Sequence, residues 1–146
     1  MTDSPRFACI RAVTTALRNN GAWGAQVGLD RADDDWTFPY VVIVYSGGGE
    51  ANDIRRTSGD SAQVWVIKVV SDNLEEAATA AESVAALLND KGVQDVATAS
   101  DGLQGGDDWY ILTCDRENYI SFAEFVSSSR VIYHEGARYR FALEAV

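Results

Sequence analysis

The stretch from Pro39 to Asp90 sets the tightest limit on what this chain can fold into. It holds two apolar segments, Tyr40 to Tyr45 and Gln63 to Val70, and then one long amphipathic segment that opens after Ser71-Asp72. In the second segment Trp65, Ile67 and Val69 alternate with Val64, Val66, Lys68 and Val70, so a strand here is apolar on both faces. Such a strand belongs in the middle of a sheet. The amphipathic segment puts Leu74, Ala77, Ala81, Val84, Ala85 and Leu88 on one stripe and Glu75, Glu76, Glu82 and Asn89 on the other. Asp72 with Glu75 predicts a capping-box-like start, and Gly92 a stop, for a helix near residues 73–90. Few helices are available to cover two strands of this kind, so one sheet face asks for a neighbouring subunit or a second sheet. At about 25 cal/mol per Å² of apolar area, leaving several Val, Ile and Trp side chains wet costs several kcal/mol. That is comparable to the whole stability of a domain.

The flanks complete the pattern. Ser4-Pro5 is a helix start, and Phe7, Ile10, Val13 and Leu17 fall on one face, so a first helix is predicted near residues 5–19 with its stop at Asn19-Asn20-Gly21. Residues 21–38 read as loop, and Pro39 opens the first strand. Ser46 to Asp60, rich in Gly, Asp, Asn and Ser, reads as a long polar hairpin tip. A third strand is predicted from Trp109 to Cys114, a turn at Asp115 to Asn118, and a further strand from Tyr119 to Val126. Ser127-Ser128-Ser129 is a break, Glu135-Gly136 a turn, and the alternation of Tyr139, Phe141 and Leu143 with Arg138, Arg140 and Glu144 a closing strand. The expected fold is a single α+β domain over residues 1–146, a mainly antiparallel sheet packed on two helices in the order α-β-β-α-β-β.

Chemistry is less legible. The one histidine, His134, has no nucleophile motif beside it and reads as a surface residue. The run Asp33-Asp34-Asp35 lacks the alternate-position spacing of a calcium loop, and no metal or cofactor is expected. The glycines after Tyr45 follow a strand but open no helix, so they make no phosphate cradle. Cys9 and Cys114 are expected as buried thiols rather than as a disulfide or a metal pair. A formal net charge of −10 disfavours sequence-independent nucleic-acid binding and adhesion to anionic membranes. No apolar run is long enough to span a bilayer and no signal-peptide layout is present at the N-terminus, which points to an intracellular product.

Four features together resemble the tail-terminator (tail-completion, head–tail joining) proteins of long-tailed bacteriophages and prophages. They are the helix from Phe7 to Leu17; Phe38-Pro39-Tyr40-Val41-Val42 at the first strand; the strand running into Ser71-Asp72-Asn73-Leu74-Glu75-Glu76-Ala77 and the alanine-rich helix; and the closing strand from Ala137 to Glu144. The resemblance implies a non-enzymatic virion tail protein, assembled in the host cytoplasm. It implies a homo-oligomeric ring, typically a hexamer, that sits on the major tail tube protein and meets the head–tail connector protein. DNA passes through its lumen without specific binding. The competing expectations are a small dimeric ligand-binding or regulatory module, with a pocket on the uncovered sheet face lined by Tyr45 and Trp65, and an enzyme built on converging carboxylates. Tyr45, Arg55, Arg56 and Trp65 are the expected interface residues. Replacing Arg55 and Arg56 together with glutamate is expected to impair tail completion while the thermal midpoint stays unchanged; a normal virion yield from that double variant would remove both arginines from the interface.

Overall fold

A computed structural model describes residues 4–49, 60–88 and 109–145. In chain order the elements are α1 (Pro5–Leu17), β1 (Val27–Leu29), β2 (Tyr40–Gly49), β3 (Asp60–Ser71), α2 (Leu74–Leu88), β4 (Trp109–Ser127) and β5 (Arg130–Ala145). The five strands form one sheet in the order β1-β2-β3-β5-β4, with β1 parallel to β2 and the other neighbours antiparallel. The mixed sheet-and-two-helix organisation follows the expected order with β1 added.

Both helices begin where side chains satisfy backbone donors. Ser4 Oγ accepts from the Phe7 N–H at 3.1 Å, with a proline in the first turn. At α2 the expected cap is displaced by one residue. The Glu76 N–H donates to Asn73 Oδ1 at 3.0 Å, so Asn73 rather than Asp72 caps the helix. The return contact comes from Glu76 rather than Glu75: Ser71 Oγ donates to Glu76 Oε1 at 2.7 Å. Ser71 is buried at the end of β3 and cannot reach water, which makes it the partner that fixes the register.

Three expected breaks are corrected. Residues 21–38 are not all loop, because Val27–Leu29 adds a parallel edge strand beside Val41–Ile43. Gln26 holds this segment closed: its Nε2 donates to the Thr37 and Pro39 carbonyls at 2.7 and 3.1 Å, and its Oε1 accepts from the Thr37 N–H at 2.9 Å. Asp115 to Asn118 is no turn, since β4 runs through it with a register shift between Arg116 and Tyr119. Glu135-Gly136 is no turn either, because β5 continues through it and Gly136 pairs with Lys68. Ser127 to Arg130 closes the β4–β5 hairpin, as the serine run suggested. The strands after Trp109 therefore extend the same sheet instead of folding back as a second one.

The core lies between one sheet face and the two helices. Val41, Ile43, Ile67, Val69, Tyr139 and Phe141 meet Cys9, Val13 and Leu17 of α1 and Val84 and Leu88 of α2. The opposite face carries Val42, Val64 and Val70, which are nonetheless only 6%, 4% and 1% exposed. Their cross-strand neighbours explain it. Val42 pairs with Lys68, Val64 with Arg140, and Val70 with both Tyr40 and His134. Long cationic stems and rings lie over the valines, and the ring nitrogens of His134 are covered along with Val70. The second cover that the sequence demands is thus supplied in good part from within the chain.

Gly136 stands where β5 crosses β3 most closely. A Cβ there would lie 2.2 Å from the Ile67 carbonyl oxygen and 2.6 Å from Lys68 Cα. Backbone atoms at that distance cannot step aside cheaply, so Gly136→Ala is expected to lower stability by about 1–3 kcal/mol, read as a fall in the denaturant midpoint at unchanged slope.

Candidate interaction surfaces

Three surfaces are chemically distinct from a plain solvated exterior. The first is an aromatic corner at the start of α1. Tyr45 and Trp65 are cross-strand partners, and their rings meet edge to face at 4.9 Å between centroids. The Arg6 guanidinium of α1 lies 4.0 Å above the Tyr45 ring and 5.7 Å from the Trp65 ring. Beside them is a groove of about 410 Å³, bounded by Arg6, Phe7, Ile10, Leu29, Asp30 and Trp65. Phe7 and Leu29 on its rim are 69% and 48% exposed, whereas Trp65 at its base is 3% exposed. Cys9 lies fully buried on the same helix, and burial pushes its thiol far above the usual range, with the Trp65 indole opposing the rise. That thiol is chemically inert.

The expected pair Tyr45 and Trp65 is therefore brought together, but on the helix side of the sheet rather than on the uncovered face. The reason is register. Tyr45 opposes Trp65, which shares its face with Ile67 and Val69, and that is the face α1 covers. A bulge follows at once between Tyr45 and Gly47, and Gly47 takes a φ of 147° that side chains disfavour. Arg55 and Arg56 lie outside the described residues. Asp33, Asp34 and Asp35 are exposed side by side.

The second surface is the open sheet face near the β4–β5 hairpin. His134 of β5 is no surface histidine. Its ring stacks on Phe122 of β4 at 4.3 Å with 10° between planes, and its side chain is 12% exposed. Glu124 Oε2 lies 3.4 Å from His134 Nε2, and Lys68 of β3 holds its ammonium 5.2 Å from the Phe122 ring. Burial and then the Lys68 ammonium hold the His134 imidazole below its usual range, against the opposing pull of Glu124. Burial likewise lowers Lys68, again opposed by Glu124. Further along, Arg140 pairs closely with Glu117 and holds that carboxyl below the usual carboxylate range. Counting outward from a hairpin tip at Ser128-Ser129 would set Ala123 opposite His134; the register shift between Phe125 and Ser127 brings Phe122 there instead, so the stack depends on a bulge that the serine break does not announce.

The third surface is the end of that hairpin. β3 pairs with β5 no further than Ser71 with Tyr133, so the residues of β4 and β5 beyond that point pair only with each other. They form a short two-stranded arm beyond the end of β3, with the Arg130 guanidinium 5.8 Å from the Phe38 ring ahead of β2. On this arm Phe125 and Val126 are 79% and 51% exposed; Tyr119 and Phe122, at 69% and 46%, lie on β4 within the body of the sheet, opposite Ala137 and His134. With Phe7 and Leu29 at the groove, they account for six of the seven exposed large hydrophobics among the described residues, Leu74 being the other. The adjacent pair Phe125 and Val126, and the pair Phe7 and Leu29 at the groove, are the candidates for contact.

No protein-family model and no curated protein matches the chain. Several solved structures match; one of them, whose name states no function, does so with a TM-score of 0.52 at 11% sequence identity, covering 97% of this chain and 95% of its own. A match at that identity concerns the fold and not the function. No helix among the described residues is long and apolar enough to cross a membrane.

The buried imidazole gives a pH dependence with a definite sign. His134 binds its proton more weakly when folded than when unfolded, so the unfolded state takes up more protons as pH falls. Stability is expected to begin falling near the ordinary histidine value of about 6.5 and to keep falling as pH drops toward the lower folded-state value. His134→Gln should flatten that part of the profile in urea titrations, and an unchanged slope in the variant would assign it to other groups.

Proposed function

We propose that this chain is a structural, self-assembling tail protein of a long-tailed bacteriophage or prophage, a terminator that forms a ring on the tail tube and joins it to the head connector. The observation that carries this reading is the β4–β5 arm. A two-stranded extension with Phe125 and Val126 bare at its end has no core of its own to protect and gains stability only by being covered. The element order supports the resemblance: α1 first, the antiparallel β2–β3 pair next, then α2 and the closing strands. Among the described residues, ion pairs such as Arg116 with Glu82 at 3.1 Å and Arg140 with Glu117 tie surface charges to one another. A net charge of −10 suits a lumen through which DNA slides.

A second reading, a ligand-binding module, is favoured by the groove at Arg6 and Trp65, which has the volume of a small-molecule site. The two readings separate in solution. Light scattering across a concentration series, with electron microscopy of the largest species, is expected to give a closed ring of uniform subunit number. A strict monomer at the highest concentration, stabilised in thermal shift by a metabolite, would instead establish the module.

A further inference from the structure

Four of the exposed apolar residues fall into two patches of opposite shape. The arm is a projection with Phe125 and Val126 near its tip, and the site beside α1 is a concavity of about 410 Å³ rimmed by Phe7 and Leu29. The patches also match in charge. The arm carries one exposed acid, Glu124, and one exposed base, Arg130; the groove carries one exposed base, Arg6, and one exposed acid, Asp30. We infer that the arm tip of one copy seats in the groove of the next, with Phe125 against Phe7, Ile10 and Leu29, Glu124 toward Arg6 and Arg130 toward Asp30. This deepens the assembly reading and rests on it, since it names the two surfaces that meet.

The chain's own arm cannot reach the groove, so an arm seated there belongs to a second copy. The groove includes Leu29 of β1, at one edge of the sheet, and the arm belongs to β4, at the other. Four strand spacings of about 4.8 Å put those edges about 19 Å apart. Trp65 is also six residues before Ser71, while Val131, the partner of Phe125, is two residues beyond Tyr133, the partner of Ser71. Eight residues at about 3.3 Å add about 26 Å along the strands. A projection at one corner and a matching hollow at the far corner give a head-to-tail contact, which repeats until the rotation closes it. Phe125 at the centre of such a contact, buried in an apolar pocket and flanked by two opposite-charge pairs, has the position of an interface anchor.

Two variants test the contact with the full chain. Phe125→Cys is prepared with heavy nitrogen and Phe7→Cys without it, and the two are mixed under mild oxidation. Both positions are exposed, and the native Cys9 and Cys114 are fully buried, so the introduced thiols are the ones that react. The expected product is a disulfide joining the labelled residue 125 peptide to the unlabelled residue 7 peptide. In parallel, Phe125→Ser should weaken self-association by about tenfold or more with unchanged circular dichroism. If the wild type stays monomeric throughout, the assembly reading and this contact fall together. If it assembles, and Phe125→Ser assembles equally well or residue 125 links to sites other than residue 7, only the arm–groove contact is overturned.

Discussion

Twelve consecutive residues of β3, from Asp60 to Ser71, pair with twelve of β5, from Glu144 to Tyr133, and the remaining elements take their places from that ladder. It sets Trp65 opposite Tyr139 and Ile67 opposite Ala137, which creates the apolar floor on which α1 and α2 lie. It brings β5 so close at Gly136 that no side chain fits there. It also ends at Ser71, and the excess length of β4 and β5 beyond that residue is what becomes the arm. The same serine helps start α2 through Glu76, so the end of the central strand and the start of the covering helix share one polar anchor.

The charges of this acidic chain are distributed for packing as much as for solubility. Lys68, Arg138 and Arg140 come from strand positions that face away from the helices, each opposite a valine or glycine. Their stems shield apolar surface that a helix would otherwise have to cover. Glu117 and Glu124 then lie beside Arg140 and His134. A sheet face of this construction tolerates water without being a conventional polar face, and it leaves the assembly surfaces to the corners of the molecule.

Local signals in the sequence set the structure where one residue type decides the outcome. Ser4 and Pro5 start α1, Pro39 precedes β2, and the alanine stripe of α2 lies on the sheet. Signals failed where pairing overrides local preference. Val27–Leu29 is too short to show periodicity and becomes a strand only because Val41–Ile43 offers an edge. Asp115 to Asn118 and Glu135-Gly136 have turn composition, yet both lie in strands held on a neighbour, with a register shift absorbing the irregularity in the first case. At the surfaces, Tyr45 and Trp65 were legible as a pair because both are large aromatics flanking a hairpin, but which face they share depends on the register. The His134–Phe122 stack and the groove at Phe7 require contacts between residues distant in sequence, which composition alone does not encode.

The β4–β5 hairpin is closed by Ser128-Ser129 and pairs residues that are near one another along the chain. The β3–β5 ladder joins segments separated by α2 and all of β4. Loop-closure entropy makes the hairpin the quicker of the two to form. The bare aromatic end of the arm is thus presented early, before the central ladder has assembled around it. The surface that would meet a partner is therefore in place before the sheet that carries it.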